Sequence, residues 1–321
     1  MIKVRSIPGL SNFDKGESGI RRVVEAYSRY SRDYGFEYVE DGDYDVYAVH
    51  AGMTTRFDFS RPLVSHLHGL YWTADYDAIS WEWEANSKVI ASIRCAERVT
   101  VPSEWVAETL KRDMRFSPTV VHHGIEWEEW QHNHSQEGYV LWNKNRVGDV
   151  CNPVWAVRLA DQFPKIPFVS TFGPRIGPGN LIITGLQPHA QMKLTVQKAV
   201  VYLSTTKETF GIGALEAMAS GVPVLGFAHG GNLITVKHGV SGYLARVNDF
   251  DDLCQGLEYC LKYRDALGAN GREAAKQWSW RNAAKRVGEV YQSALEAYHD
   301  RRRPHRIAEE SYENHSAEPV R

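Results

Sequence analysis

The feature that most constrains the fold is an alternation of short apolar segments with amphipathic helical segments, which occurs twice along the chain. In the first half, strand patterns run from Ile2–Ile7 to Arg98–Val101, with helical patterns between them. A polar, turn-rich stretch at 131–138 follows, and a second alternation extends from Tyr139 to Phe227. Alternating strands and helices are typical of parallel sheets covered by helices. The sequence therefore predicts an α/β fold with two doubly wound domains in series.

The domain bounds follow from this pattern. We expect an N-terminal domain over residues 1–133 and a C-terminal domain over residues 134–280. A chain of 321 residues can hold two such cores. Residues 281–300 carry a helical pattern, whereas residues 301–321 are polar and lack periodicity, which predicts a mobile tail.

Composition restricts the partners. A formal net charge of -2 at pH 7 provides no basic field for nucleic acid, so we expect no nucleic-acid partner. The four cysteines lack CxxC spacing, and neither a signal peptide nor an apolar run of membrane-spanning length is present. We therefore expect a reduced cytoplasmic protein without a transmembrane segment, which leaves peripheral membrane association open.

Several histidines in HxH or HH pairs raise the alternative of a metal site. They are His66, His68, His122, His123, His132 and His134. No cysteine or carboxylate completes a ligand set at a recognisable spacing. The sequence therefore predicts no metal and no cofactor.

The most informative segment is KETFGIGALEAMASGVPVLG, which spans Lys207–Gly226. Glu208 follows a buried strand, and Glu216 lies eight positions later in the next helix. The loops at the carboxyl ends of parallel strands form the ligand crevice of such sheets. The helix N-terminus at 212–214 suits a diphosphate, and Glu216 suits ribose hydroxyls. The alternative is one solvated and one helix-capping glutamate.

The same segment resembles the E-x7-E signature of retaining glycosyltransferases of family 4. The resemblance continues through the glycine pair Gly230 and Gly231 and the turn His238–Leu244. In the first half, YDVYAVHAG, PLVSHLHGLYW, ERVTVPSEW and VVHHGIEWEEW resemble family motifs in the family's order. The resemblance implies the GT-B architecture, in which two Rossmann-like domains face each other across a cleft. The last helix, 281–300, then crosses back to the first domain. It also implies transfer with retention and without a metal.

The resemblance assigns roles to residues in the second domain. Glu216 would bind the ribose, and Glu208 would contact the hydroxyls of the donor sugar. The backbone amides of Phe210, Gly211 and Ile212 would meet phosphate and sugar.

Further roles concern other parts of the chain. By resemblance, Gly16 would pack against the diphosphate, Leu186 in the TGLQP turn would contact the base, and His68 would lie beside the donor sugar. The family's Gly-Arg and Lys-Gly pattern is replaced by WNKNRVGDV, in which Lys144 and Arg146 are both available. A cation must neutralise the departing diphosphate, and the choice between the two stays open.

The predicted function is transfer of a sugar from a uridine or guanosine diphosphate sugar to a hydroxyl of a glycan, lipid-linked or small-molecule acceptor. An epimerase, a phosphorylase and a non-catalytic nucleotide-sugar binding module are the alternatives. An epimerase needs no acceptor, a phosphorylase needs a cofactor lysine, and a binding module would bind donor without turnover. A position of Arg21 and Arg22 on the acceptor side is an alternative, but a solvated helix face is the commoner explanation for such a pair.

Overall fold

The computed structural model describes residues 1–12, 19–69, 80–132, 137–144, 151, 153–172 and 177–313. The described strands form two six-stranded sheets. The first contains β1 (Ile2–Ile7), β2 (Phe36–Tyr38), β3 (Val46–His50), β4 (Leu63–His66), β5 (Arg98–Val101) and β6 (Thr119–Val120). The second contains β7 (Val140–Trp142), β8 (Phe168–Ser170), β9 (Leu181–Ile183), β10 (Val201–Ser204), β11 (Val224–Phe227) and β12 (Gly242–Ala245).

Helices connect the strands and cover the sheets. They are α1 (Gly19–Tyr30), α2 (Ser80–Cys95), α3 (Glu104–Met114), α4 (Val154–Gln162), α5 (His189–Lys198), α6 (Ile212–Ala219), α7 (Asn232–Thr235), α8 (Phe250–Lys262), α9 (Arg264–Ala275) and α10 (Trp280–Glu313). None of these helices has an apolar stretch long enough to cross a membrane.

Both sheets are parallel, with the orders β2-β1-β3-β4-β5-β6 and β12-β11-β10-β7-β8-β9. The connectivity reverses direction between β1 and β3 in the first sheet and between β7 and β10 in the second. Loops diverge at such a point and leave a crevice beyond the carboxyl ends of the strands. The two predicted doubly wound domains are confirmed.

Buried apolar strands explain the sheets. All five residues of β3 and all four of β10 are buried, as parallel strands covered on both faces require. Ser103 caps α3, because its side chain accepts a hydrogen bond from the Val106 amide.

The last helix packs against the first domain. Trp280, Val287 and Tyr291 of α10 belong to one apolar cluster with Val4 of β1 and Tyr27 of α1. The Tyr38 and Tyr291 hydroxyls are 3.0 Å apart. The two sheets are thus joined both by the segment between Val120 and Val140 and by this returning helix. The predicted boundary at 133/134 falls outside the described residues.

Some elements are absent from the sequence prediction. The strands β2 and β6 have three and two residues, too short to show a period-2 pattern. In α9, Gly268 and Gly271 disfavour a helix, yet a Cβ at Gly268 would stand 2.2 Å from the Gly221 oxygen. Close packing against the turn after α6 therefore outweighs intrinsic propensity. The final helix continues to Glu313, past the expected end at 300, and mobility of the remaining tail stays a prediction.

Candidate functional site

Two predicted site residues meet at the point where the strand order of the second sheet reverses. Lys144 follows β7 and Glu208 follows β10, and these strands are neighbours. The Lys144 ammonium and the Glu208 carboxylate form an ion pair. The Lys144 amide donates to Thr171 Oγ1 at 2.9 Å, which fixes the backbone after β7. Burial alone would lower the pKa of Lys144, but the charge of Glu208 outweighs it and raises the pKa above its usual value.

The glycine pair noted in the sequence holds the loop that carries Glu208. The Gly231 amide donates to the Glu208 carbonyl at 2.8 Å. A Cβ at Gly230 would stand 2.3 Å from the backbone carbonyl oxygen of Glu208. A Cβ at Gly231 would stand 2.2 Å from the backbone carbonyl oxygen of Phe210. Because a larger residue at either position would displace this backbone, the pair explains the geometry of the loop.

The helix α6 begins directly after this loop. Gly211 precedes it with a φ of 94°, a left-handed conformation that glycine adopts without strain. The first amides of a helix have no partner within it, so those at Gly211 and Ile212 form a ready anion site. This geometry is what the predicted phosphate contacts require.

Glu216 lies one turn further along α6 and is 2% exposed. Its carboxylate forms an ion pair with Arg22 of α1, in the other domain. The interpretation of Arg22 as part of a solvated face is therefore wrong, since the pattern of α1 alone cannot show that the second domain covers this position. Arg21 does fit that interpretation, because it pairs with Glu25 on the same helix.

The two domains touch at the site. Thr209 Oγ1 donates to the carbonyl of His68 at 3.0 Å, and Ser103 donates to the carbonyl of Thr209. These bonds connect the loops after β4 and β5 with the loop after β10. The structure thus brings His68 next to the segment of Glu208 and Phe210.

The Phe210 ring reinforces this contact, whereas the sequence resemblance gives a role to its amide alone. It is 1% exposed and packs at 5.4 Å from the ring of His123 and 5.5 Å from that of Trp278. The side chain of Phe210 therefore ties the loop after β10 to His123 of the first domain.

His68 belongs to a buried stack of histidines, which sequence reasoning did not predict. We call His50, His66, His68 and His123 the histidine stack. Its neighbouring rings are nearly parallel, with centroids 4.5 to 5.5 Å apart. His50 Nδ1 and His68 Nε2 are 2.8 Å apart, and the orientation of His68 is therefore set by His50. The endings of β3 and β4 in histidine are the sequence signal for this stack.

Burial keeps the stack uncharged. It lowers the pKa of His68 to about 4, and together with the His68 charge it lowers that of His66 to about 3. The pKa values of His50 and His123 are also well below the usual value, chiefly through burial and then through neighbouring histidines. All four rings are therefore neutral at pH 7, and His68 is the one that is not fully buried.

The remaining predicted residues are less informative. Leu186 lies in the turn after β9, and its side chain is 66% exposed. This exposure is compatible with the predicted contact with a nucleotide base. Gly16, Arg146 and His134 lie outside the described residues. Among the described side chains, no three His, Cys, Asp or Glu are arranged to hold a metal ion.

Each domain matches a family model. Residues 13–129 match Glycosyltransferase Family 4, and residues 177–278 match Glycosyl transferases group 1. A D-inositol 3-phosphate glycosyltransferase of Corynebacterium kroppenstedtii is 33% identical over 99 residues, which are 30% of this chain and 22% of that protein. The matched part thus spans about a quarter of the length of the curated relatives.

Solved structures show the same architecture. Sucrose-phosphate synthase from Thermosynechococcus elongatus superposes with a TM-score of 0.75 at 16% identity, over 92% of this chain and 100% of that chain. Anabaena HepE in complex with UDP-glucose gives a TM-score of 0.71 at 15% identity, over 91% and 100%. The fold is GT-B, as the sequence resemblance implied.

Proposed function

We propose that the chain is a retaining glycosyltransferase that moves a sugar from a nucleoside diphosphate sugar to a hydroxyl group of an acceptor. The observation that carries this proposal is the meeting of Lys144 and Glu208 beside the N-terminus of α6. An ammonium group and free helix amides are what a diphosphate leaving group requires. The family matches in both domains support the same activity.

In the proposed mechanism, the diphosphate binds the amides of Gly211 and Ile212 and a cation, which is Lys144 or Arg146. Glu216 accepts hydrogen bonds from the ribose hydroxyls, which compete with Arg22 for this carboxylate. Leu186 contacts the base, and Gly16 packs against the diphosphate. A uridine or guanosine nucleotide is the proposed donor, and no metal takes part.

Glu208 and His68 hold the hydroxyls of the transferred sugar. The bond between the anomeric carbon and the phosphate oxygen breaks while the acceptor oxygen bonds to the same face. The acceptor proton passes to the departing phosphate oxygen. Double displacement would need a carboxylate beneath the anomeric carbon, and the site carboxylates have other roles in this scheme.

A donor screen tests the proposal. Purified protein with EDTA is mixed with a panel of nucleoside diphosphate sugars, and thermal stabilisation and release of nucleoside diphosphate are measured. We expect one donor to stabilise the protein and to be turned over. Glu216→Ala should weaken its binding by roughly 100-fold, because it removes charge-assisted hydrogen bonds to the ribose. The exposed Glu258 of α8 provides a matched control as Glu258→Ala.

The outcomes separate the alternatives. Donor binding without turnover in the presence of acceptor hydroxyls would favour a non-catalytic nucleotide-sugar binding module. Wild-type affinity in Glu216→Ala would contradict the assignment of the ribose site. We propose that the acceptor is a glycan, a lipid-linked sugar or a small molecule. Candidate acceptors are then tested with the donor that the screen finds.

A further inference from the structure

A buried hydroxyl that the mechanism above does not use lies beneath the N-terminus of α6. Tyr202 is the second residue of β10, and it is 1% exposed. Its hydroxyl has no hydrogen-bond partner among the described residues. Leaving a buried hydroxyl unpaired costs about 1–3 kcal/mol, so the position of this group needs a physical reason.

Gly213 makes room for the hydroxyl. It is the second residue of α6, and a Cβ built on it would stand 2.3 Å from the Tyr202 oxygen. A glycine within a helix costs about 1 kcal/mol relative to alanine. Here the missing side chain lets the hydroxyl reach the backbone of the first turn of α6. Tyr202 therefore extends from the strand to the place where the diphosphate is proposed to bind.

The electrostatic environment identifies the same place. The pKa of Tyr202 is raised to about 12, chiefly by burial. The charges of Lys144 and Arg22 act to lower this pKa, and those of Glu208 and Glu216 act to raise it. The charges of both ion pairs of the site therefore act on this hydroxyl. It stays protonated at neutral pH and is available as a hydrogen-bond donor.

Other buried tyrosines have paired hydroxyls. The Tyr139 hydroxyl donates to the carbonyl of Thr195 at 2.6 Å. Those of Tyr38 and Tyr291 bond to each other. Tyr202 differs from these three tyrosines in that its hydroxyl is unpaired and lies against Gly213, in the first turn of α6.

We propose that Tyr202 is a diphosphate-binding residue, whose hydroxyl donates a hydrogen bond to a phosphate oxygen of the nucleotide held at the N-terminus of α6. This inference rests on the proposed function. The phenol adds a neutral donor beside the helix amides and the ammonium of Lys144. It thereby fixes the orientation of the diphosphate without adding further charge.

The test compares two conservative variants, Tyr202→Phe and Tyr139→Phe. Binding of UDP, GDP and ADP is measured by calorimetry, and the melting temperature is measured without nucleotide. Tyr202→Phe should melt at the wild-type temperature or higher, because it removes an unpaired polar group. It should bind the preferred nucleotide roughly 10- to 100-fold more weakly, as expected for a lost hydrogen bond to a charged group. Tyr139→Phe should melt lower and bind normally.

A second pair of variants tests the geometry independently. Gly213→Ala should lower the melting temperature, because its Cβ meets the Tyr202 hydroxyl. Adding Tyr202→Phe should restore much of the loss, since the clashing atom is then absent. A double variant as unstable as Gly213→Ala would contradict the proposed pairing of these residues.

Two results would overturn the inference and are distinguishable. Wild-type nucleotide affinity in Tyr202→Phe would exclude the hydroxyl from the site and leave the proposed function intact. Failure of the wild-type protein to bind any of the three nucleotides would contradict the proposed function, and the role of Tyr202 with it.

Discussion

The two sheets place polar side chains at equivalent positions, beyond the carboxyl ends of their central strands, but their chemistry is opposite. In the second domain Lys144 is paired with Glu208, and its pKa is raised. In the first domain His66 and His68 are buried, and their pKa values fall to about 3 and 4. At these strand ends the second domain therefore offers charge and the first offers neutral hydrogen-bonding groups, whereas the charge of Arg22 comes from helix α1.

The difference depends on the partners. His66 bonds to the hydroxyls of Thr100 and Tyr291, at 2.7 and 3.0 Å, and neither carries a charge at neutral pH. Burial without a counter-charge favours the neutral form, whereas burial beside a carboxylate preserves the cation. A cleft built in this way can hold a charged leaving group on one side and an uncharged sugar on the other.

The largest predicted effect tests whether the histidine stack is neutral. In the unfolded chain these histidines titrate near pH 6.5, and in the folded protein His68 titrates near 4. Their contribution to stability is present above pH 6.5 and is lost as the pH falls towards 4, because the unfolded chain binds more protons. Each such histidine lowers the free energy of unfolding by about 1.4 kcal/mol for every pH unit of acidification within this window. Urea unfolding at pH 7.5, 6.5, 5.5 and 5.0 measures this loss.

A pair of variants attributes the acid sensitivity to the stack. His50→Gln should reduce the dependence of the unfolding free energy on pH by about one proton, even if it lowers stability at pH 7.5. The exposed His299, which lies outside the stack, provides the matched control as His299→Gln. If wild-type stability is equal at pH 7.5 and 5.0, the proposed contrast between the two domains fails.

The next prediction concerns the charged side of the cleft. If Lys144 is the cation of the proposed mechanism, Lys144→Met should reduce turnover of the donor found in the screen by about 100- to 1000-fold, because no ammonium then meets the leaving diphosphate. Lys198→Met is the control, since the ammonium of Lys198 pairs with Glu137 at 2.6 Å on the surface. A large loss in Arg146→Met with near-normal turnover in Lys144→Met would assign the role to Arg146 instead.

The fold was largely predictable because its strands are buried and apolar, and the positions of Glu208, Gly211 and Glu216 followed from the loop-to-helix segment. The pairing of Gly230 with Glu208 also has a sequence signal. The glycines at 230 and 231 indicate close approach, although not to which backbone. Local sequence thus encodes the elements and the need for small residues, but not the identity of distant neighbours.

The histidine stack and Tyr202 show what the sequence could not provide. His50 and His123 are far apart in the sequence, and both join the stack only through the order of the sheet. Tyr202 reads as an ordinary apolar strand residue, and the significance of its hydroxyl depends on Gly213 in the next helix. Both features arise from tertiary packing, which periodicity does not determine.

The smallest predicted effect tests the link between the domains. Arg22 is 33% exposed and pairs with the buried Glu216, whereas its neighbour Arg21 pairs with Glu25 on the surface of α1. Arg22→Gln should lower the free energy of unfolding by about 1–2 kcal/mol, because a buried carboxylate loses its partner while solvent screens part of the cost. Arg21→Gln should change it by no more than about 0.5 kcal/mol.

Urea unfolding at pH 7.5 without nucleotide measures both variants under the same conditions. Arg22→Lys should recover part of the loss, since an ammonium restores the charge but not the planar geometry of the guanidinium. Equal and small effects at the two positions would instead mean that Arg22 lies on a solvated face. In that case the charge of Glu216 would not depend on the first domain, which would contribute only neutral groups to the cleft.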